Sequence, residues 1–112
     1  MLTIAANGLR FACLAEGPED GPLALLFHGF PDTAHTWSDL LPRLAARGLR
    51  AVAVFLRGYH PTSIPVDGDY SALALGRDVL GLIEALGRAQ ATVIGHDWGA
   101  YPTPPRTWRR SG

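Results

Sequence analysis

The stretch Val93-Ile94-Gly95-His96-Asp97-Trp98-Gly99-Ala100 decides the predicted fold, because it joins a short apolar run to a tight turn flanked by glycines. The run Ala91 to Ile94 is continuous rather than alternating, which is typical of a strand buried on both faces. Gly95 and Gly99 allow neighbouring backbone to approach closely, and the central side chain, Asp97, is then presented above the sheet. The pattern indicates a nucleophile elbow that carries aspartate.

Two further apolar runs come before this turn and predict two more buried strands. They cover Leu23 to Phe27 and Ala51 to Leu56. Helical patterns separate the three runs, and such alternation is typical of a parallel sheet with crossover helices. At the start of the chain, Asn7-Gly8 predicts an antiparallel hairpin of Leu2 to Ala6 with Leu9 to Ala15.

Two helices are predicted between the strands. The first has one apolar face, but it contains Pro42, so we expect a break or kink at Leu41 and an end at Gly48. The second covers about Tyr70 to Leu86, and Asp69 is the expected N-cap.

The residues after the elbow do not continue this pattern. Each proline inside a helix costs about 3 kcal/mol, and residues 102–105 include three of them. The stretch 106–112 has no periodicity, and we expect the whole tail, residues 101–112, to be disordered. The sequence therefore predicts part of one domain over residues 1–100, followed by an unrelated Pro- and Arg-rich tail over residues 101–112. All 10 basic residues are arginine, which suggests a G+C-rich gene. A shifted reading frame of such a gene often encodes an Arg- and Pro-rich stretch, so we expect a frameshifted or truncated gene product.

The composition is that of a globular protein, with 47% hydrophobic and 18% charged residues. Ten basic and ten acidic residues cancel, so no electrostatic feature favours nucleic acid or an anionic membrane as partner. The N-terminus lacks the features of a secretory signal, and we expect a cytoplasmic protein. Cys13 is expected to be a small buried hydrophobe without a redox role. His35 and His60 show no metal-ligand spacing, so we expect no metal site.

Four segments together resemble α/β-hydrolases of the epoxide hydrolase type. They are, in chain order, His28-Gly29-Phe30-Pro31, Trp37, Arg57-Gly58-Tyr59 and Gly95-His96-Asp97-Trp98-Gly99. The first segment combined with the Asp-containing elbow is more specific than either motif alone. The resemblance implies part of an α/β-hydrolase fold, with an N-terminal hairpin and parallel strands, that stops after the elbow. One departure is that family members commonly have an Asp near the Arg-Gly-Tyr, whereas Phe55-Leu56 precede it here.

The resemblance also implies a reaction that needs no cofactor. The Asp97 carboxylate would attack a carbon of a small apolar epoxide, and water would hydrolyse the resulting ester to give a diol. The backbone N–H groups of Phe30 and Trp98 would form the oxyanion hole. The other motif residues would support the turn and the elbow: His28, Gly29, Pro31, Gly95, His96 and Gly99.

Several parts of the family's machinery have no counterpart in this chain. The family's histidine base, its acidic partner and the lid tyrosines come after the elbow, and no histidine follows His96 here. We therefore expect the chain alone to be inactive. Without the strand that would follow the elbow, the run Ala91 to Ile94 lies at an open sheet edge, and we expect the chain to self-associate.

Two other functions remain open at this point. A haloalkane or haloacid dehalogenase uses the same attack of aspartate on carbon, and Phe30 after His28-Gly29 only slightly favours the epoxide hydrolase. The alternative from another class is a non-catalytic remnant, or a subunit that a second chain completes.

Overall fold

The computed structural model describes residues 1–29, 33–95 and 106–109. Within these ranges, no helix has the length and apolar character needed to cross a membrane. A short 3₁₀ helix, Ala34–Trp37, precedes two α-helices, α1 (Leu40–Ala46) and α2 (Ala72–Ala85). The described strands are β1 (Leu2–Ala6), β2 (Leu9–Glu16), β3 (Leu23–Phe27), β4 (Arg50–Val54), β5 (Gln90–Gly95) and β6 (Arg106–Arg109).

The described strands form one mixed sheet in the order β1-β2-β4-β3-β5-β6. Strand β3 pairs in parallel with β4 on one side and with β5 on the other. The hairpin of β1 and β2 joins antiparallel to β4, as the Asn7-Gly8 turn predicts. The chain moves outward from β3 to β4 and then crosses back to β5, so the strand order reverses between β3 and β5. In open α/β sheets, ligands bind outside the carboxyl ends of the strands at such a reversal.

Helices cover both faces of β3 and β4, which accounts for their continuous apolar runs. The expected burial of β5 on both faces is wrong, because its residues alternate and Thr92 is exposed. Helix α2 packs its apolar side on one face, where Leu25 and Val52 belong to the same buried cluster as Val79. The 3₁₀ helix and α1 cover the other face, where Leu26 and Leu41 are clustered. All five residues of β3 are buried, so this strand is the middle of the core.

Cys13 is a residue of this core, as expected from its small size and apolar neighbours. It is completely buried and free, and burial raises the pKa of its thiol to about 12. A thiol that stays protonated is a poor nucleophile and a poor metal ligand.

Helix α1 differs from its prediction. The expected break at Leu41 is wrong, because Pro42 lies in the first turn of α1, where its missing N–H would have no helical partner in any case. The interruption falls earlier, at Ser38 and Asp39, between the 3₁₀ helix and α1. Gly48 has a φ of 87° just after the helix, so its expected role as the stop is confirmed.

Helix α2 starts two residues later than predicted, and Asp69 is not its N-cap. Ser71 is the N-cap, since its hydroxyl accepts a hydrogen bond from the Ala74 N–H at 3.2 Å. The Asp69 carboxylate accepts from the Ser71 N–H at 2.9 Å instead. This backbone contact, followed by the Ser71 side chain, holds the pKa of Asp69 below its ordinary value.

The last described strand is a further difference from the sequence expectation. Residues Arg106–Arg109 form β6, which pairs antiparallel with β5 from Gln90 opposite Arg109 to Val93 opposite Arg106. The expectation of a disordered tail is therefore wrong for these four residues, and so is that of an open edge along this part of β5. Backbone N–H and C=O groups of an edge strand favour pairing with any available segment, and here residues later in the same chain supply it.

Because β6 pairs with β5, we expect the length of the tail to affect self-association of the chain. Deletion of residues 106–112 leaves the backbone groups of β5 unpaired, and we expect more self-association at the same concentration. Size-exclusion chromatography with light scattering measures this. Deletion of residues 110–112 alone is the matched control, because it leaves β6 in place. Equal apparent masses for the two shortened chains would contradict the protective role of β6.

Candidate active site

The carboxyl ends of three strands meet at one edge of the sheet. Phe27, the last residue of β3, lies opposite Val54 of β4 and opposite Gly95 of β5. The segments that follow these three strands therefore all leave the sheet at the same edge. They begin with His28 after β3, with Phe55 after β4 and, after β5, with the residue that follows Gly95.

His28 is completely buried at this edge and is held through both ring nitrogens. The Leu56 N–H can only donate, so Nε2 accepts its hydrogen bond at 3.0 Å. The Gly29 carbonyl can only accept, so Nδ1–H donates to it at 3.0 Å. The two contacts together require the neutral ring with its proton on Nδ1. His28 thus connects the segment after β4 to the turn after β3.

Aromatic contacts hold the His28 ring from the side. The ring of Tyr59 meets it edge to face, with centroids 4.7 Å apart and an interplanar angle of 77°. Phe55 lies in a similar orientation at 6.5 Å. Aromatic pairs prefer such edge-to-face arrangements. The segment after β4 therefore fixes both the position and the plane of the imidazole.

The segment after β4 is itself fastened to the hairpin strand β2. The buried Thr62 hydroxyl donates to the Phe55 carbonyl at 2.7 Å and accepts from the Ala12 N–H at 2.9 Å. Gly58 suits its position, since its φ of 82° lies in the left-handed region that favours glycine and a Cβ there would lie 2.6 Å from the Tyr70 ring. The Arg57-Gly58-Tyr59 motif thus has a steric reason for its glycine.

Arg57 and Asp78 form a buried ion pair behind this segment. Arg57 Nε lies 2.7 Å from Asp78 Oδ2 and Nη2 lies 3.1 Å from Oδ1, in the two-pronged geometry of a guanidinium on a carboxylate. The side chains are 6% and 3% exposed. The same carboxylate accepts from Asn7 Nδ2 at 2.8 Å, and Arg57 Nη1 donates to the Asp69 carbonyl. Asp78 of α2 is therefore the acidic partner of Arg57, 21 residues further along the chain.

Burial raises the pKa of the Asp78 carboxyl, and the hydrogen bonds from Arg57 and Asn7 offset part of that rise. A buried carboxylate is costly on its own, and here three donated hydrogen bonds compensate its charge.

The motif residues divide between the described and the undescribed parts of the chain. The structure brings His28, Gly29 and Gly95 to the same edge of the sheet. The other residues assigned to the site lie outside the described residues: Phe30, Pro31, His96, Asp97, Trp98 and Gly99. In the described ranges, no group of three or more His, Cys, Asp or Glu side chains could hold a metal ion.

Sequence reasoning missed Asp78 and Asn7 as parts of this site. A signal for Asp78 was present, because it lies on the inward side of α2 between the buried Leu75 and Leu82, where a charged residue needs a partner. Asn7 was assigned only to the hairpin turn, and its conformation there, with a φ of 47°, agrees with that role. Its contact with Asp78 depends on how the hairpin packs against α2, which is a tertiary feature.

We expect a large loss of stability when one partner of the Arg57–Asp78 ion pair is neutralised. Asp78→Asn leaves the Arg57 charge buried without compensation, and we expect the free energy of unfolding to fall by about 3 to 5 kcal/mol. The double variant Arg57→Met, Asp78→Leu removes both charges and should recover most of the loss. Urea denaturation measures both effects. A loss below about 1 kcal/mol for Asp78→Asn would show that the pair is screened by solvent.

The chain is similar in sequence to a known protein family and to several of its members. A family model described as alpha/beta hydrolase fold matches residues 22–102. The chain is 42% identical over 98 residues to an epoxide hydrolase of Caballeronia sordidicola, an alignment that covers 87% of this chain and 29% of that protein. It is 43% identical over 97 residues to epoxide hydrolase B of Mycobacterium tuberculosis, covering 84% of this chain and 27% of that protein.

Solved structures give a similar result. The crystal structure of an epoxide hydrolase from Vigna radiata superposes with a TM-score of 0.83 at 37% identity, over 90% of this chain and 32% of that one. Epoxide hydrolase A from Mycobacterium thermoresistibile gives a TM-score of 0.84 at 36% identity, over 88% of this chain and 31% of that one. The chain therefore spans less than a third of the length of the two curated relatives named above.

Proposed function

Because this chain belongs to the α/β-hydrolase fold family, we propose that it supplies the nucleophile and the oxyanion turn of an epoxide hydrolase-type enzyme. The nucleophile is Asp97, and the oxyanion donors are the backbone N–H groups of Phe30 and Trp98. The observation that carries the proposal is the pairing of Phe27 with Gly95 at the reversal of strand order. The relatives named epoxide hydrolase support the choice of reaction.

The register of β3 and β5 makes contact between the two segments feasible. Cα atoms of paired residues in adjacent strands are about 4.8 Å apart, so the two segments start close together. Phe30 follows Phe27 by three residues and can lie at most about 11 Å from it, and Asp97 follows Gly95 by two residues and can lie at most about 7 Å from it. A carboxylate and an N–H donor can therefore reach the same small substrate.

The chemistry proceeds in two steps. In the first, a carboxylate oxygen of Asp97 attacks an epoxide carbon, the ring C–O bond breaks, and the ring oxygen takes a proton as the alkyl-enzyme ester forms. In the second, water adds to the ester carbonyl carbon, and the oxyanion accepts hydrogen bonds from Phe30 and Trp98. The bond between the acyl carbon and the alkyl oxygen then breaks, and that oxygen takes a proton from the added water as the diol leaves. The other proton that this water loses balances the proton taken up in the first step, and the Asp97 carboxylate is restored.

The neutral ring of His28 supports a structural role in this mechanism. Its Nε2 already accepts a hydrogen bond from the Leu56 N–H, so it is not available to take a proton from water. No histidine follows His96 in this chain, and we propose that the second step lacks a base here. The first step needs only the nucleophile and a way to protonate the leaving oxygen, and a reactive epoxide can obtain that proton from water.

This proposal predicts a stable covalent adduct. After incubation of the chain with a small reactive epoxide, we expect one added epoxide mass on Asp97 and no catalytic turnover to diol. Intact-mass spectrometry followed by peptide mapping identifies the labelled residue. Asp97→Asn should remove the adduct, whereas Asp39→Asn, which changes an exposed carboxylate on the surface, should leave it.

Other outcomes discriminate between the candidate functions. Turnover that Asp97→Asn abolishes would contradict the expected inactivity, because the chain would then contain a working base. Labelling by a haloalkane but not by an epoxide would favour the dehalogenase. Labelling spread over exposed carboxylates, with Asp97 no faster than the rest, would contradict the nucleophile assignment.

A further inference from the structure

A series of hydrogen bonds, joined in the middle by the covalent link between Leu56 and Arg57, connects helix α2 to the turn after β3, and we propose that Asp78 and Arg57 are positioning residues for that turn. The series passes through the Leu56 N–H and His28 and ends at the Gly29 carbonyl. Its consequence for catalysis rests on the proposed function, whereas the positioning itself does not.

The first step is the anchoring of Asp78. It lies in the middle of α2, a 14-residue helix whose apolar side belongs to the core of the sheet. Asn7 of the β1–β2 turn donates to the same carboxylate. The carboxylate is thus fixed from two separate elements, helix α2 and the β1–β2 turn, and neither of them belongs to the segment after β4.

The second step is the restraint that Asp78 places, through Arg57, on the segment after β4. A guanidinium bound through Nε and Nη2 to one carboxylate has a fixed plane, which a single hydrogen bond would not give. The contact of Nη1 with the Asp69 carbonyl restrains the plane from another side. Leu56 directly precedes Arg57, so the bound guanidinium restrains the segment that carries the Leu56 N–H, while the Thr62 hydroxyl holds the carbonyl of the same peptide unit.

The third step is the orientation of a peptide group by His28. The ring accepts from Leu56 through Nε2 and donates through Nδ1 to the Gly29 carbonyl. That carbonyl belongs to the same peptide unit as the N–H of Phe30. Because a peptide unit is planar, the hydrogen bond from His28 to the Gly29 carbonyl restrains the plane at the start of the turn. Under the proposed function the Phe30 N–H is an oxyanion donor.

The proposal explains why a buried charge pair lies in this position. A hydrogen-bond donor of an oxyanion hole must be aimed in advance, since reorientation during the reaction would cost part of its effect. Buried ion pairs contribute little net stability compared with apolar packing, so a role in holding geometry gives a reason for this one.

The test uses the ¹⁵N-labelled 112-residue chain and two NMR readouts, the ring nitrogen shifts of His28 and the hydrogen exchange of the Leu56 amide. We expect Asp78→Asn to shift the His28 signals and to accelerate Leu56 exchange about tenfold more than exchange of the β2–β4 amides. Arg57→Lys keeps the charge but loses the two-pronged contact, so we expect a smaller change of the same kind. Leu82→Ala is the matched control, because it weakens the packing of the same helix without touching the series.

The control should accelerate the exchange of core amides together and leave the His28 signals in place. Unchanged His28 signals in both Asp78→Asn and Arg57→Lys, or equal changes in Leu82→Ala, would overturn the proposal. If Asp78→Asn does not fold, Arg57→Lys decides by itself. The epoxide labelling of Asp97 separates the two claims: no adduct on the unmodified chain refutes the proposed function, and His28 signals that respond to Asp78→Asn uphold the positioning role all the same.

Discussion

The parallel pairing of β3 with both β4 and β5 is the constraint on which the rest of the structure depends. All five residues of β3 are buried, and helices cover both of its faces. A strand in this position must be apolar throughout, because neither face meets water. The same pairing sets Phe27 beside Val54 and Gly95 and gathers the segments that follow three strands at one edge. The site is a consequence of how the core is built.

Much of the fold could be predicted because its signals are local. Asn7-Gly8 predicts the hairpin, Gly48 the end of α1, and each apolar run a central strand, and all of these are confirmed. The predictions that are wrong concern positions where two neighbouring residues suit the same role, or where the pairing partner lies far along the chain. Asp69 and Ser71 are both good N-caps, and the sequence alone does not decide between them. The pairing of β6 depends on which backbone edge remains open after the other strands have assembled.

In the candidate site too, motifs of neighbouring residues can be recognised in the sequence, whereas contacts between distant residues cannot. The turn after β3 and the elbow after β5 are recognisable as motifs, because glycines at tight turns leave a fixed spacing in the sequence. The link between Arg57 and Asp78 is not visible as a motif, since the two residues lie on different elements and meet only when α2 packs on the sheet. A charged residue within an apolar helix face is the one sequence sign of such a partner.

The register between β3 and β5 is the point on which this account can be tested most directly. Backbone nuclear Overhauser effects between the two strands measure it in solution. The account predicts contacts that place Leu26 beside Ile94 and Phe27 beside Gly95. A shift of two residues would keep the buried faces but separate the turn from the elbow. Contacts that place Phe27 beside Val93, or no contacts between β3 and β5, would contradict the proposed site.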